Sequence, residues 1–173
     1  NKFNGKGTYT TKDGDKYEGE FKDQTLHGQG IIVRADGRKY QGEFKNGLRH
    51  GQGTYIVPVD EQYIKYMGEW KDGIANGYGT FENKKEDVVI SGEFENGNPQ
   101  GKITIISSSK KYLNNVEYLE SKLQTDINEV KIVGIWRNGV LHDGAEMYIN
   151  GKLFQEKSQS TSSVQNTIFS SFL

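Results

Sequence analysis

The sequence predicts an all-β fold: an elongated, single-layer antiparallel sheet of tandem β-hairpins with one short helical insertion. Three observations predict it. A short aromatic–glycine motif recurs along the 173 residues. Within each copy, apolar and charged residues alternate with the period of two that is typical of a strand. Most copies are followed by a dipeptide typical of tight hairpin turns.

The recurring motif has two halves. The first half reads Tyr-x-Gly-x-aromatic at 17–21 and returns at 40–44 and 66–70, with divergent copies at 90–94 and 132–136. The second half is a glycine-rich stretch, as at 27–30, and it also stands alone near the start of the chain at 4–7. The marker glycines of the two halves stand nine residues apart in four copies, and ten apart from Gly134 to Gly144. Because the spacing between copies varies from 14 to 33 residues, the constant unit is one copy, and the loops absorb insertions.

Each copy is interpreted as a hairpin on its turn chemistry. Asn46-Gly47, Asp72-Gly73, Asn96-Gly97 and Asn138-Gly139 follow the first half in four of the five complete copies. Asn, Asp and Gly accept the positive φ angles that two-residue hairpin turns require. One hairpin is marginal in water, so the hairpins are expected to stack edge to edge into one sheet of roughly ten or eleven strands.

The predicted organisation is a repeat array over 1–154 and a Ser-rich tail over 155–173. The array begins with a half-repeat at 3–15. Five repeats follow at 16–38, 39–64, 65–88, 89–107 and 131–154. The insertion at 108–129 places Val116, Leu119, Leu123 and Ile127 on one helical face, and such a short helix is expected to pack on the sheet, with docking of a partner as the alternative.

Composition excludes several function classes. The 22 basic and 23 acidic residues are well mixed and give a net charge of −1, so no basic stripe invites nucleic acid. Apolar runs are too short to span a bilayer. The absence of cysteine excludes disulfides and thiolate metal sites. The start, which has neither Met nor a signal-peptide core, suggests a piece of a longer polypeptide.

No catalytic, metal or cofactor site is predicted. His27, His50 and His142 fill one repeat position, which holds Asn4, Asn76 or Gln100 in other copies. A side chain that Asn or Gln replaces is expected to hydrogen-bond a turn, not to move protons. Equivalent positions in successive hairpins would also lie about 10 Å apart, too far to share one zinc ion. The recurring glutamates are interpreted as cross-strand partners of lysines on a solvated face.

The predicted binding surface is the aromatic side of the sheet, because a single layer leaves that side without a second layer to cover it. An extended or helical segment of another protein is the expected partner. The predicted contact residues are Tyr17, Phe21, Tyr40, Phe44, Tyr66, Trp70, Phe94 and Trp136. The predicted structural positions are Gly19, Gly28, Gly42, Gly51, Gly68, Gly77, Gly92, Gly101, His27 and His50.

The quoted motifs resemble the MORN repeat (membrane occupation and recognition nexus), which reads roughly Tyr-x-Gly-x-Trp/Phe, then His-Gly-x-Gly-x-Tyr. The resemblance covers about 3–107 and 132–154. It implies a non-catalytic, cytoplasmic scaffold in a cytoskeletal assembly, with a cilium or axoneme as the expected setting. Two alternatives follow from the same resemblance: an accessory segment of a larger enzyme such as a phosphoinositide kinase, or a tether that binds membrane lipid headgroups. Near-neutral charge makes the lipid tether the weaker alternative.

Overall fold

The computed structural model describes residues 2–109, 120, 125–142 and 145–154. Its elements in this part of the chain are thirteen β-strands. They are β1 (Gly5–Thr10), β2 (Lys16–Lys22), β3 (Thr25–Val33), β4 (Lys39–Lys45), β5 (Leu48–Val59), β6 (Gln62–Lys71), β7 (Ile74–Asn83), β8 (Val88–Glu95), β9 (Asn98–Ser107), β10 (Val130–Arg137), β11 (Val140–Leu141), β12 (Glu146–Ile149) and β13 (Lys152–Phe154).

The strands form an open antiparallel sheet in hairpin succession, which confirms the predicted fold class. Their order is β1 to β10 in chain order, then β12 and β13, with β11 beside β10. The count exceeds the expected ten or eleven for two reasons. Two strands, β11 and β12, pair with β10 where one returning strand was expected, and Asn150-Gly151, with φ angles of 48° and 76°, forms one more tight turn between β12 and β13. Most of the predicted helix and the Ser-rich tail lie outside the described residues. Ile127, which was predicted to lie on the helical face, is described and buried, but residues 125–129 are not helical, so the prediction is wrong at this position.

The chain divides into two compact units. The first comprises the described residues up to Lys85 together with Phe94–Gly97, and the second comprises Glu86–Glu93 together with the described residues from Asn98 onward. In the first unit, the marker glycine of each Tyr-x-Gly motif lies directly opposite a glycine of the second half. These cross-strand pairs are Gly19 with Gly30, Gly42 with Gly53, and Gly68 with Gly79.

The predicted turn dipeptides adopt the expected conformation. Asn46 and Gly47 have φ angles of 52° and 80°, and Asp72 and Gly73 have 50° and 88°. The hairpin between β2 and β3 makes the same kind of turn with Asp23 and Gln24, at 51° and 69°. Sequence reasoning missed that turn because glutamine is not a residue that favours positive φ.

Successive hairpins of the first unit are joined at their turns by backbone hydrogen bonds. The Gly47 amide donates to the carbonyl of Leu26 at 2.8 Å, and the Gly73 amide donates to that of Arg49 at 2.9 Å. Gln24 makes the equivalent bond to Phe3, also at 2.9 Å. Each turn is therefore held by the returning strand of the hairpin before it.

The second unit is built on the same plan with an aliphatic core. Ile90, Ile103 and Trp136 are fully buried, and β9 pairs with β10 from Ser107 opposite Val130 to Gly101 opposite Trp136. The Gly139 amide donates to the carbonyl of Pro99 at 3.2 Å, which repeats the turn bond of the first unit. The hairpin of β10 and β11 therefore follows the repeat although its motif has diverged.

Candidate functional site: the aromatic face

We use the name aromatic face for the side of the first unit that holds Tyr40, Phe44, Tyr66, Trp70 and Phe94. These rings contact one another edge to face, in a continuous chain. Centroid distances are 5.0 Å from Phe44 to Tyr40 and 5.4 Å from Tyr40 to Trp70. They are 5.1 Å from Trp70 to Tyr66 and 5.2 Å from Tyr66 to Phe94. The first unit thus has a ladder of rings in the geometry that aromatic pairs prefer.

The paired glycines make room for the tyrosines of this ladder. A Cβ atom on Gly53 would collide with the ring and hydroxyl of Tyr40, and one on Gly79 would collide with those of Tyr66. Each tyrosine therefore lies across the glycine pair of its own hairpin. The Tyr40 hydroxyl donates to the carbonyl of Glu43 at 3.0 Å.

Burial changes the acidity of both tyrosines. Tyr40 is 2% exposed and Tyr66 is 7% exposed. Desolvation disfavours the phenolate, so burial raises the pKa of Tyr40 and of Tyr66 to about 12. Both hydroxyls therefore stay protonated at physiological pH and act as hydrogen-bond donors.

Most of the predicted contact rings are taken up by packing within the chain. Tyr40, Phe44, Tyr66, Trp70, Phe94 and Trp136 are all buried, whereas Tyr17 and Phe21 are half-buried. Partner contact by these eight rings stays a prediction. Tyr17 and Phe21 are the two that keep partly exposed surface, and the Tyr17 hydroxyl accepts a hydrogen bond from Arg34 at 3.0 Å.

Sequence reasoning missed Arg49, which lies on this face. Its guanidinium carbon is 4.2 Å from the Trp70 ring centroid and 4.8 Å from that of Tyr55. Its Nη2 donates to the carbonyl of Gly73 at 2.6 Å. The repeat alignment held a signal for it. The position directly before His50 is apolar in the other complete copies, where it holds Leu26, Ala75, Pro99 and Leu141, and it is charged only at Arg49.

A depression of about 330 Å³ opens on the aromatic face beside Arg49. Arg34 and Arg38 also line it, together with Tyr40 and Tyr55. Asp15 binds Arg34 at 2.5 Å, and Asp36 binds Arg38 at 2.7 Å. The backbone amide of Ala35 and then Arg34 lower the pKa of Asp15, and Arg38 lowers the pKa of Asp36, so the two carboxylates remain ionised.

On the opposite face, two motif glutamates bind the backbone. Glu43 Oε1 accepts the amide of Gln52 at 2.9 Å, and Glu69 Oε1 accepts that of Tyr78 at 2.9 Å. Their carboxylates lie against Gly51 and Gly77, where a Cβ atom would collide with them. The interpretation of Glu43 and Glu69 as lysine partners is replaced by this structural role.

The histidine position contacts the turn of the next hairpin. Asn4 Oδ1 accepts the amide of Asp23 at 2.9 Å, and Gln100 Oε1 accepts that of Asn138 at 3.0 Å. The residue of this position in the second complete repeat is His50. Its Nδ1 lies 3.9 Å from a carboxylate oxygen of Asp72, which also lies in the following turn, but this atom is buried without a hydrogen-bond partner among the described residues, so it does not make the expected hydrogen bond.

The structural positions predicted from the motifs lie in strands. His27 and Gly28 lie in β3, and Gly28 has a positive φ of 71°. The equivalent second-half glycines also have positive φ: Gly51, Gly77 and Gly101, at 56°, 105° and 71°. The first-half glycines Gly19, Gly68 and Gly92 have φ between 151° and 156°, and a Cβ atom on Gly42 would collide with the facing strand.

The described part of the chain contains no cluster of three or more His, Asp or Glu residues that could hold a metal ion. Across the same residues, no helix is long and apolar enough to cross a membrane.

The chain matches one known family of repeat proteins in the segments that carry this geometry. The family model for the MORN repeat matches residues 1–16, 17–37, 40–58, 66–86 and 91–102, which together make up more than half of the chain. No curated protein sequence matches the chain. The matched segments contain the glycine pairs, the turn dipeptides and the ring ladder of the first unit. The chain therefore belongs to the MORN repeat family.

Proposed function

We propose that this chain is a non-catalytic scaffold that binds other proteins along its aromatic face. MORN repeats generally mediate interactions with proteins or membrane lipids. The observation that supports a protein partner is the depression beside Arg49, where half-exposed ring surface and hydrogen-bond donors lie together. Aromatic and arginine side chains are the residues that most often dominate protein–protein binding energy.

The proposal extends to the cellular setting. Family resemblance supports a cytoplasmic, cytoskeletal assembly, and a cilium or axoneme is the setting we would examine first. Localisation of the tagged full-length protein in ciliated cells tests this part. A diffuse cytosolic distribution without a stable partner would contradict it.

Site-specific photo-crosslinking tests the binding face. A photoreactive phenylalanine analogue replaces Tyr17 or Tyr55 on the aromatic face, and replaces Tyr78 on the opposite face as the matched control. Tyr78 is 61% exposed, so weak crosslinking from this position could not be explained by poor accessibility. We expect mass spectrometry to find protein crosslinks from positions 17 and 55 and at most weak ones from 78. Equal crosslinking from the two faces, or crosslinking to lipid alone, would refute the proposal.

The full-length transcript provides a second test. The alternative of an accessory segment requires a catalytic domain, such as a phosphoinositide kinase domain, in the same polypeptide. Its presence would refute the statement that the protein is a non-catalytic scaffold.

A further inference from the structure

Arg49 is exceptional within its own repeat array. The same repeat position holds Leu26, Ala75, Pro99 or Leu141 in the other copies, and Leu26 and Pro99 are buried. An apolar residue would therefore satisfy the packing at this position. A cation here costs desolvation, which is why burial lowers the pKa of the Arg49 guanidinium. An arginine is therefore not required to fill this position.

The guanidinium of Arg49 is held in place but is not neutralised. It lies near the faces of Trp70 and Tyr55 and donates one hydrogen bond to the Gly73 carbonyl. A guanidinium has five N–H donors in one plane, so most of its donor capacity is left. No carboxylate among the described residues lies within 4.0 Å of it, whereas Arg34 and Arg38 each have one.

The depression lined by Arg49 has a clear charge preference. In the described part of the chain, the residues that line it include three arginines and no acidic residue. Asp15 and Asp36 already bind Arg34 and Arg38. Of the three arginines that line the depression, Arg49 is therefore the one without a carboxylate partner among the described residues. Its fixed plane suits the two oxygens of a carboxylate, which arginine binds through two parallel hydrogen bonds.

We propose that this depression binds an acidic segment of a partner protein, with a Glu or Asp carboxylate on Arg49. The inference rests on the proposed protein-binding function and adds the chemistry of the partner. Two features favour a protein segment over a membrane. Arg49 is half-buried between rings, and the two rim arginines are already paired.

Selection from a displayed library of random nonapeptides tests the proposal on the full chain. Parallel selections use the native protein, Arg49→Leu, Arg49→Lys and, as a matched control, Arg137→Leu, which removes an exposed arginine in β10. Leucine stands at the equivalent position 26, so Arg49→Leu is expected to fold, and a circular dichroism melt checks that. Arg49→Lys keeps the charge but loses the planar fork.

We expect peptides selected on the native chain to be enriched in Asp and Glu, and those selected on Arg49→Leu not to be. Replacing the key Glu of a selected peptide by Gln should weaken binding to the native chain about tenfold or more, since a charge-assisted pair is lost. The same replacement should change binding to Arg49→Leu less than about twofold. Arg137→Leu should behave as the native chain, and Arg49→Lys should be intermediate.

The other outcomes separate the two proposals. Peptides that bind without acidic enrichment, or a Glu-to-Gln effect that persists in Arg49→Leu, would refute the acidic-segment inference and leave the protein-binding function standing. If no peptide is selected, both the acidic-segment inference and the protein-binding function are refuted. Binding of vesicles that contain a phosphoinositide, with no peptide selected, would refute both in the same way.

Discussion

Trp70 is the residue on which the aromatic face of the first unit is centred. Its ring contacts Tyr40, Tyr55 and Tyr66 edge to face, and its Nε1 donates to the carbonyl of Gly53 at 3.1 Å. One side chain therefore joins three strands, and Arg49 is held against its ring face.

The first prediction compares Trp70→Ala with Glu69→Ala, its neighbour on the opposite face. Trp70→Ala should lower the free energy of unfolding by about 3–5 kcal/mol because it leaves a cavity in a closely packed ring cluster. Glu69→Ala removes the acceptor of the Tyr78 amide, and should cost about 1 kcal/mol. Urea unfolding curves recorded by far-ultraviolet circular dichroism, which does not depend on tryptophan fluorescence, measure the stability of both variants. Equal losses would mean that the two faces are assigned wrongly.

At the scale of the element, the hairpin turn determines how one repeat meets the next. The second turn residue has a positive φ, and its amide donates to the preceding hairpin, as with Gly47 and Leu26 or Gly73 and Arg49. Turn conformation and repeat stacking thus depend on the same residue. Gln24 occupies this position in the first complete hairpin without the conformational freedom of glycine.

The second prediction is that Gln24→Gly stabilises the protein, by about 0.5–1 kcal/mol, because it removes the cost of a left-handed conformation at a residue with a Cβ atom. The amide that donates to Phe3 is retained. Gly47→Ala is the matched control, and it should destabilise by about 1 kcal/mol for the same reason. Thermal melts report both changes, and a lower melting temperature for Gln24→Gly would contradict the argument.

At the scale of the molecule, stability should vary along the repeats because each hairpin contacts its neighbours only. Strand β1 lies at the end of the strand order and is mostly exposed. Strand β5 has a paired strand on both sides and twelve residues. Local opening therefore costs less in β1 than in β5.

The third prediction is that backbone amides at 5–10 exchange with deuterium at least about tenfold faster than those at 48–59. Hydrogen exchange with mass spectrometry resolves the two strands in one experiment. The Trp70→Ala variant provides an internal control, since it should accelerate exchange in β5 and β6 first. Equal protection of the two strands would show that the edge of β1 is covered.

The sequence by itself determined the hairpins of this protein, because their signals are local. The period of two in Tyr40–Phe44 and the positive-φ dipeptides such as Asn46-Gly47 act within a few residues, and the structure has a strand and a turn at those places. The family also followed from these motifs, without the structure.

Only the tertiary structure decided what the side chains do between repeats. Asn4 and Gln100 hold turns that lie 19 and 38 residues further along the chain, and Arg49 bonds a carbonyl 24 residues away. Such partners depend on which strands become neighbours and on how closely glycine pairs let the rings approach. The repeat alignment alone did not explain Arg49, and only the packed rings of Trp70 and Tyr55 and the Gly73 carbonyl show how its guanidinium is held.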